Sequence, residues 1–357
     1  MRFDSLTRRI IGSLSLGYKV RQRWNRGRDT PRYLKERRSK FYESVWGEAA
    51  ASVGVPLSRL DGSLFEIRCG AFPLRVVDNI TSLDDPVTLR IAGDKPIVYR
   101  LLHERNIPVP KHLLCRSDEL AKAWDFVVGL QEPCVVKPAR RTGGGAGVTT
   151  GITGRWILAK ALAWAGAFGR EIVIEEQIRG GNYRLLYFDG ELLDAVRRLP
   201  PTVVGDGRSS IRQLITKENR DRIRTGIEAS LSLIEIDIEL MNTLWKRRYR
   251  LRSIPPKGET VQVKHVVNDN RREDNESATE RLCPSVIKAG SNASKAIGAR
   301  LAGVDLITLN PEGPLGESGG AIIEVNTTPG FHCHYMKISG RTPVACMILQ
   351  RLANKSS

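Results

Sequence analysis

The chain has 357 residues, with 56 Lys+Arg against 39 Asp+Glu for a net charge of +17; 41% of it is hydrophobic and 27% charged. That composition is globular and long enough for two or three cores. It holds no run of about 18 apolar residues, which excludes a transmembrane helix. The basic, briefly apolar start lacks the long hydrophobic segment of a secretory signal. Six cysteines (Cys69, Cys115, Cys134, Cys283, Cys333, Cys346) are scattered without a CxxC pair. Their spacing argues against a disulfide scaffold or a zinc knuckle and makes a reducing cytoplasm the default compartment.

The charge is uneven: residues 1–40 hold 13 Lys+Arg against 3 Asp+Glu, ten of the seventeen excess charges. Leu6, Ile10, Leu14 and Tyr18 fall at helical spacing inside this arm. A polyanion- or membrane-binding arm and a solvated helix packed on the body both fit that pattern. Residues 40–53 read as an amphipathic helix stopped by Gly54 and Pro56, and residues 63–77 as a hairpin around Gly70. Residues 86–103 have helical periodicity and end before the extended Ile107-Pro108-Val109-Pro110 connector.

From residue 115 onward, strands and helices alternate. Strands are expected at residues 134–137, 171–175, 183–188, 192–197, 261–267, 304–309 and 321–325, the last two paired. Helices are expected at residues 155–168, 212–224, 285–298 and 341–352. The order is mixed, so the body is α+β rather than a repeat or a simple doubly wound sheet.

Three clusters carry chemistry. A strand ending in Lys137-Pro138 runs into Gly143-Gly144-Gly145-Ala146-Gly147, a loop whose backbone amides suit phosphate oxygens. The lysine precedes the glycines, so this is not a GxxxxGK[ST] loop, and an ordinary flexible turn has the same signature. The apolar strand Ile172-Val173-Ile174 then enters Glu175-Glu176-Gln177-Ile178, followed by Asn182. Backbone at Glu176 and Ile178 suits an adenine edge, Glu175 its amino group and Asn182 a ribose; solvated charges at a strand end are the plain alternative. Lastly, Asp305 interrupts an apolar strand, where an unpaired carboxylate is costly. In Glu324-Val325-Asn326, strand period places Glu324 and Asn326 on one face. These three oxygen donors suit Mg²⁺ held with nucleotide phosphates.

In this order the clusters resemble the ATP-grasp family of carboxylate–amine ligases, and within it the ATP-grasp half of the cyanophycin synthetases, from about Phe65 to the C-terminus. Further carriers are Ala92-Gly93-Asp94-Lys95, Arg197-Arg198-Leu199-Pro200, Ile254-Pro255-Pro256-Lys257-Gly258-Glu259, and Pro329-Gly330 with His334. The resemblance implies an α+β ATP-grasp fold: a basic arm (1–40), an N-terminal helix and hairpin region (41–90), and an ATP-grasp domain (91–357) whose lid lobe spans about 111–178. It implies ATP and Mg²⁺ as cofactors. Lys95, Lys137, Gly144, Gly145 and Gly147 would contact phosphates; Glu175, Gln177, Ile178 and Asn182 adenine and ribose; Asp305, Glu324 and Asn326 the metal. It places Arg184 and Arg198 at the acyl phosphate, and Asn268, Gly330 and His334 at the substrates. His332 and Cys333 beside His334 suggest a metal cluster, but no second Cys/His pair accompanies them.

The implied partners are a carboxylate substrate and an amine co-substrate (amino acid or peptide), with self-association and an anionic partner of the arm left open. The chain departs from the branch at Asn268-Asp269-Asn270-Arg271, where the branch's glycines and histidine are missing. It also carries one extra residue in the glycine loop and lacks the Mur-ligase-like half. Synthesis of an alternating Asp/Arg polymer by this chain alone is therefore not expected.

Overall fold

The computed structural model describes residues 17–18, 32–70, 72–140, 142–225, 232–269 and 271–354. Apart from Gly17, Tyr18 and residues 32–40, the expected basic arm lies outside them. Helix α1 (Arg32–Val53) starts eight residues before the expected position 40 and ends at Gly54, whose φ of +73° favours glycine. The expected hairpin is β2 (Leu64–Ile67) and β3 (Leu74–Val77), extended by β1 (Leu57–Asp61) and β4 (Ile80–Thr81) into a four-stranded meander. Alternation along β2 and β3 buries Phe65, Ile67, Leu74 and Val76. These side chains share one core with α1 and with Leu186, Phe188 and Phe331 from the body.

Residues 86–103 are two helices, not the single periodic stretch expected. Gly93 closes α2 (Pro86–Ala92), and Asp94 takes an extended conformation. Its carboxylate accepts from Ile97 N at 3.2 Å and so caps α3 (Lys95–His103), a contact generally contributing about 1 kcal/mol. The break puts Lys95 in the first turn of α3, where it is buried.

The next lobe contains β5 (His112–Arg116), α4 (Leu120–Val128), β6 (Cys134–Pro138), β7 (Thr149–Ile152), α5 (Arg155–Gly166) and β8 (Glu171–Glu176). Its strands form an antiparallel sheet in the order β5-β8-β6-β7. The Ala/Leu-rich α5 packs on it: Ala161, Leu162, Ala163 and Ala165 are all fully buried. From the arm, Tyr18 packs its ring edge-on to Trp164 of α5, 5.2 Å between centroids.

The hairpin β9 (Gly181–Phe188) and β10 (Glu191–Arg198) opens the central sheet. An insert follows: β11 (Thr202–Val204), α6 (Ile211–Arg224), α7 (Ile238–Lys246) and β12 (Thr260–Gln262). It has its own core around Ile211, Leu214, Leu240, Leu244 and Val261. The strand expected over residues 261–267 pairs only through Gln262. The chain then returns through β13 (Asn275–Ser277), α8 (Pro284–Ile297), β14 (Leu301–Thr308), β15 (Ala321–Thr327), α9 (His332–Tyr335) and α10 (Val344–Asn354). The central sheet has the order β13-β10-β9-β14-β15, so the pairing expected for the last two strands is present. Lid-lobe sheet and central sheet face each other across a cleft, the α+β arrangement that the sequence implies.

Candidate functional site

The cleft has a volume of about 700 Å³. Its floor on the lid side is Lys137, delivered by the C-terminal end of the buried strand β6. Lys137 Nζ lies 2.8 Å from Glu175 Oε1, 2.8 Å from the Tyr99 hydroxyl and 3.4 Å from the Ile323 carbonyl. The Tyr99 oxygen is itself 2.7 Å from Glu175 Oε2 and 2.8 Å from the Ile323 carbonyl, able to donate its one proton to either. Burial, reinforced by the Glu175 charge, pushes the Tyr99 hydroxyl well above its ordinary range. The Ile323 carbonyl is exposed to these donors by a bulge: Asp305 pairs with Glu324 and Leu306 with Ile322, leaving Ile323 unpaired.

Glu175 lines the cleft as expected, and its carboxylate is also engaged by Lys137 and Tyr99, so it anchors the lysine. The other hinge residues, Gln177, Ile178 and Asn182, line the cleft too. The Gln177 side chain accepts from Gly151 N at 2.6 Å, tying the hinge to β7.

The glycine loop closes the cleft above. Gly144 and Gly145 line it with φ of +64° and +74°. A Cβ on Gly145 would lie 2.7 Å from Val266 Cγ1 and 3.0 Å from Asn268 Nδ2. Asn268 therefore lies against the glycine loop and lines the cleft, whereas Gly330 does not. Gly147 is also corrected: it does not line the cleft, and a Cβ there would meet Pro138 Cγ at 2.7 Å and Phe168 at 2.8 Å. Its small size serves packing at the end of the loop.

On the central sheet, Asp305 stands between Arg184 of β9 and Glu324 of β15 in register. Arg184 grips it with two parallel bonds, Nε to Oδ1 at 2.6 Å and Nη2 to Oδ2 at 2.7 Å. Arg198 Nη2 donates to Oδ1 at 2.7 Å and Asn326 Nδ2 to Oδ2 at 3.2 Å. Burial pushes the Asp305 carboxyl up, but the two arginines outweigh it and hold it below the usual carboxylate range. Conversely, burial lowers Arg198. Gly303 makes the geometry possible, since a Cβ there would sit 2.9 Å from Arg184 Nη1 and 2.8 Å from Pro329.

The metal assignment fits in part. Glu324 borders the cleft, 3.4 Å from Lys95 Nζ, and its carboxylate with the Asn326 carbonyl oxygen offers hard donors suited to Mg²⁺. Asp305 does not fit in this arrangement, because four donors occupy its four acceptor positions. Among the described residues no group of three or more His, Cys, Asp or Glu is placed to hold a metal ion. Arg198 lines the cleft whereas Arg184 does not, its guanidinium held by Asp305.

His334 is fully buried, so it does not face a substrate as expected. Its Nδ1 is 2.8 Å from Asp194 Oδ2, which Lys337 Nζ also reaches at 3.0 Å. Burial would lower His334, yet Cys333 and Asp194 raise it to about 9. Cys333 is lowered to about 7: burial opposes ionisation, but His334, Arg184 and Arg198 prevail. Gly330 precedes this cluster in a loop fixed by Tyr42, whose hydroxyl accepts from Phe331 N at 3.0 Å. Tyr99, Asp194, Gly303 and Lys337 were absent from the sequence-based site. Asp194 carried the same signal as Asp305, a lone carboxylate in an apolar strand.

Two lobes clamping a cleft with two buried lysines, a glycine loop and a Glu-x-Asn strand end give the chain the ATP-grasp fold. It is similar to cyanophycin synthetase of Trichormus variabilis, 30% identical over 290 residues, covering 80% of this chain and 32% of that protein. It also resembles the glutathione biosynthesis bifunctional protein GshAB of Clostridium perfringens, 31% identical over 263 residues, 73% of this chain and 34% of the relative. The chain thus spans about a third of the length of these curated relatives. Among solved structures, a bifunctional glutathione synthetase from Pasteurella multocida superposes with a TM-score of 0.55 at 23% identity, over 87% of this chain and 43% of that one. No model of a known protein family matches.

Proposed function

We propose that the chain is an ATP- and Mg²⁺-dependent ligase that joins a carboxylate to an amine through an acyl phosphate. The observation that carries this reading is the convergence of Lys95, Lys137, the Gly144-Gly145 loop, Glu324 and Arg198 on one cleft. The names and similarity of the relatives support it. A substrate carboxylate oxygen attacks the γ-phosphorus, the bond to the bridging oxygen breaks and ADP leaves. The amine nitrogen then attacks the acyl carbon, phosphate departs, and the amine gives up its proton.

Both reactants of the first step are anions, so positioning and charge neutralisation dominate the chemistry. Lys95 and Lys137 suit the nucleotide phosphates, and Arg198 the acyl phosphate, with Arg184 orienting it through Asp305. Bound Mg²⁺, for which Glu324 and Asn326 are the available ligands, supplies further neutralisation of the phosphates. The second reading is a ligase acting on a protein or peptide, favoured by the basic insert face beside the cleft.

The test is phosphate release from MgATP with pooled carboxylates and amines, followed by mass analysis of condensed products. Activity should require both substrate types and fall about 10²–10³-fold in Lys137→Ala and Glu324→Ala. Full activity in either variant refutes the site.

A further inference from the structure

The insert carries a charge feature that the ligase chemistry leaves unused. From Trp245 it reads Trp-Lys-Arg-Arg-Tyr-Arg-Leu-Arg, five cations within residues 246–252 and no acid. They amount to five of the seven positive charges by which the chain beyond residue 40 exceeds neutrality. The turn is held mainly by its backbone and apolar side chains: Arg248 N donates to Trp245 O at 3.0 Å and Tyr249 N to Leu244 O at 2.8 Å, while Tyr249 and Leu251 pack on the insert core; of the cationic heads, Arg250 Nη1 donates to Tyr249 O at 2.9 Å. The neighbouring acid, Glu259, accepts from the Tyr249 hydroxyl at 2.6 Å.

Arg247, Arg248, Arg250 and Arg252 are exposed, and none forms an ion pair among the described residues. Arg212, at the start of α6, is also exposed, and its N–H bonds Leu251 O at 3.0 Å, so it extends the same patch. Beside it Trp245 is 61% exposed. Like charges concentrated this way repel one another and raise the local potential, which favours a multivalent anion. The patch adjoins the cleft: Arg247 Nη2 donates to Gln262 Oε1 at 2.5 Å, and Gln262 lines the cleft with His265.

We propose that this patch is a docking surface for an acidic polypeptide, a polymeric carboxylate substrate held along its length while one end enters the cleft. The choice of carboxylates over other anions rests on the ligase reading; docking itself rests on the patch. Exposed guanidiniums bind carboxylates in bidentate fashion, and Trp245 offers apolar contact between them.

The test uses the full chain and fluorescein-labelled decaglutamate, followed by anisotropy, with oligothymidylate of equal length as competitor. The patch variant is Arg247→Gln/Arg248→Gln/Arg250→Gln/Arg252→Gln. A control of equal charge loss is Arg90→Gln/Arg100→Gln/Arg105→Gln/Lys288→Gln, all exposed and elsewhere on the body. Decaglutamate affinity should fall about tenfold or more in the patch variant and less than about twofold in the control. MgATP affinity should be unchanged in both. Equal losses in the two variants, no loss in the patch variant, or tighter binding of oligothymidylate than decaglutamate each overturns the proposal. Patch-dependent decaglutamate binding without ATP-dependent condensation supports docking and refutes the ligase reading, while condensation without decaglutamate binding refutes docking alone.

Discussion

The two walls of the cleft treat buried charge differently. On the lid side, Lys137 meets one carboxylate, Glu175, with Tyr99 satisfying both. On the central sheet, Asp305 meets two guanidiniums, Arg184 and Arg198. The first cluster is charge-balanced and holds a lysine in place. The second has two guanidiniums for one bonded carboxylate, an excess offset only in part by the nearby Glu324 and Cys333. Burial alone would favour neutrality in both.

The largest effect should come from breaking the unbalanced cluster. Asp305→Ala leaves two buried guanidiniums without their carboxylate and should destabilise the fold by about 3–5 kcal/mol, read from urea denaturation. Replacing all three charges (Asp305→Leu with Arg184→Met and Arg198→Met) should restore most of that stability while abolishing condensation. If the triple variant is no more stable than Asp305→Ala, the imbalance is not the cause. Next, Tyr99→Phe on the balanced side should cost about 1 kcal/mol, because Lys137 and Glu175 still satisfy each other. A loss comparable to Asp305→Ala would erase the contrast.

The subtlest test uses the Cys333–His334 pair, where the pH signs oppose. His334 is raised from 6.5 to about 9, so its contribution is complete below 6.5 and lost as pH rises through 9. Cys333 is lowered from 9.0 to about 7, so its contribution is present above 9.0 and lost as pH falls through 7. Between pH 7 and 9 the pair holds one proton whether folded or unfolded, and its share of stability is flat. Cys333→Ala removes the strongest influence raising His334, so His334 should titrate lower by NMR. Stability of that variant should decline with rising pH through the new folded value. A flat profile in the variant would show that the thiolate does not compensate the imidazolium.

Much of this site was legible because its signals are local. A strand ending in Lys137 before glycines, or Asp305 alone among apolar residues, breaks a pattern within a few positions. Pairing of β14 with β15 followed from two apolar runs with matched polar breaks. Tyr99 was illegible because a tyrosine on the inner face of an amphipathic helix looks like core; its partners Glu175 and Ile323 lie 76 and 224 residues away. The split of residues 86–103 hinged on whether Asp94 caps a new helix, which depends on backbone geometry that periodicity does not report. The insert was read as separate elements because its core forms only when β11, α6, α7 and β12 fold back on one another. His334 kept its position but not its expected surroundings, since type and spacing reveal a charged group without naming its neighbour.

The bulge at Ile323 has a mechanical meaning. By turning one carbonyl out of the β14–β15 ladder, it gives the lid-lobe residue Lys137 and the α3 residue Tyr99 a common attachment on the central sheet. Lobe movements that keep these bonds leave Lys137 and Tyr99 tied to the central sheet, so both walls of the cleft share one point of reference.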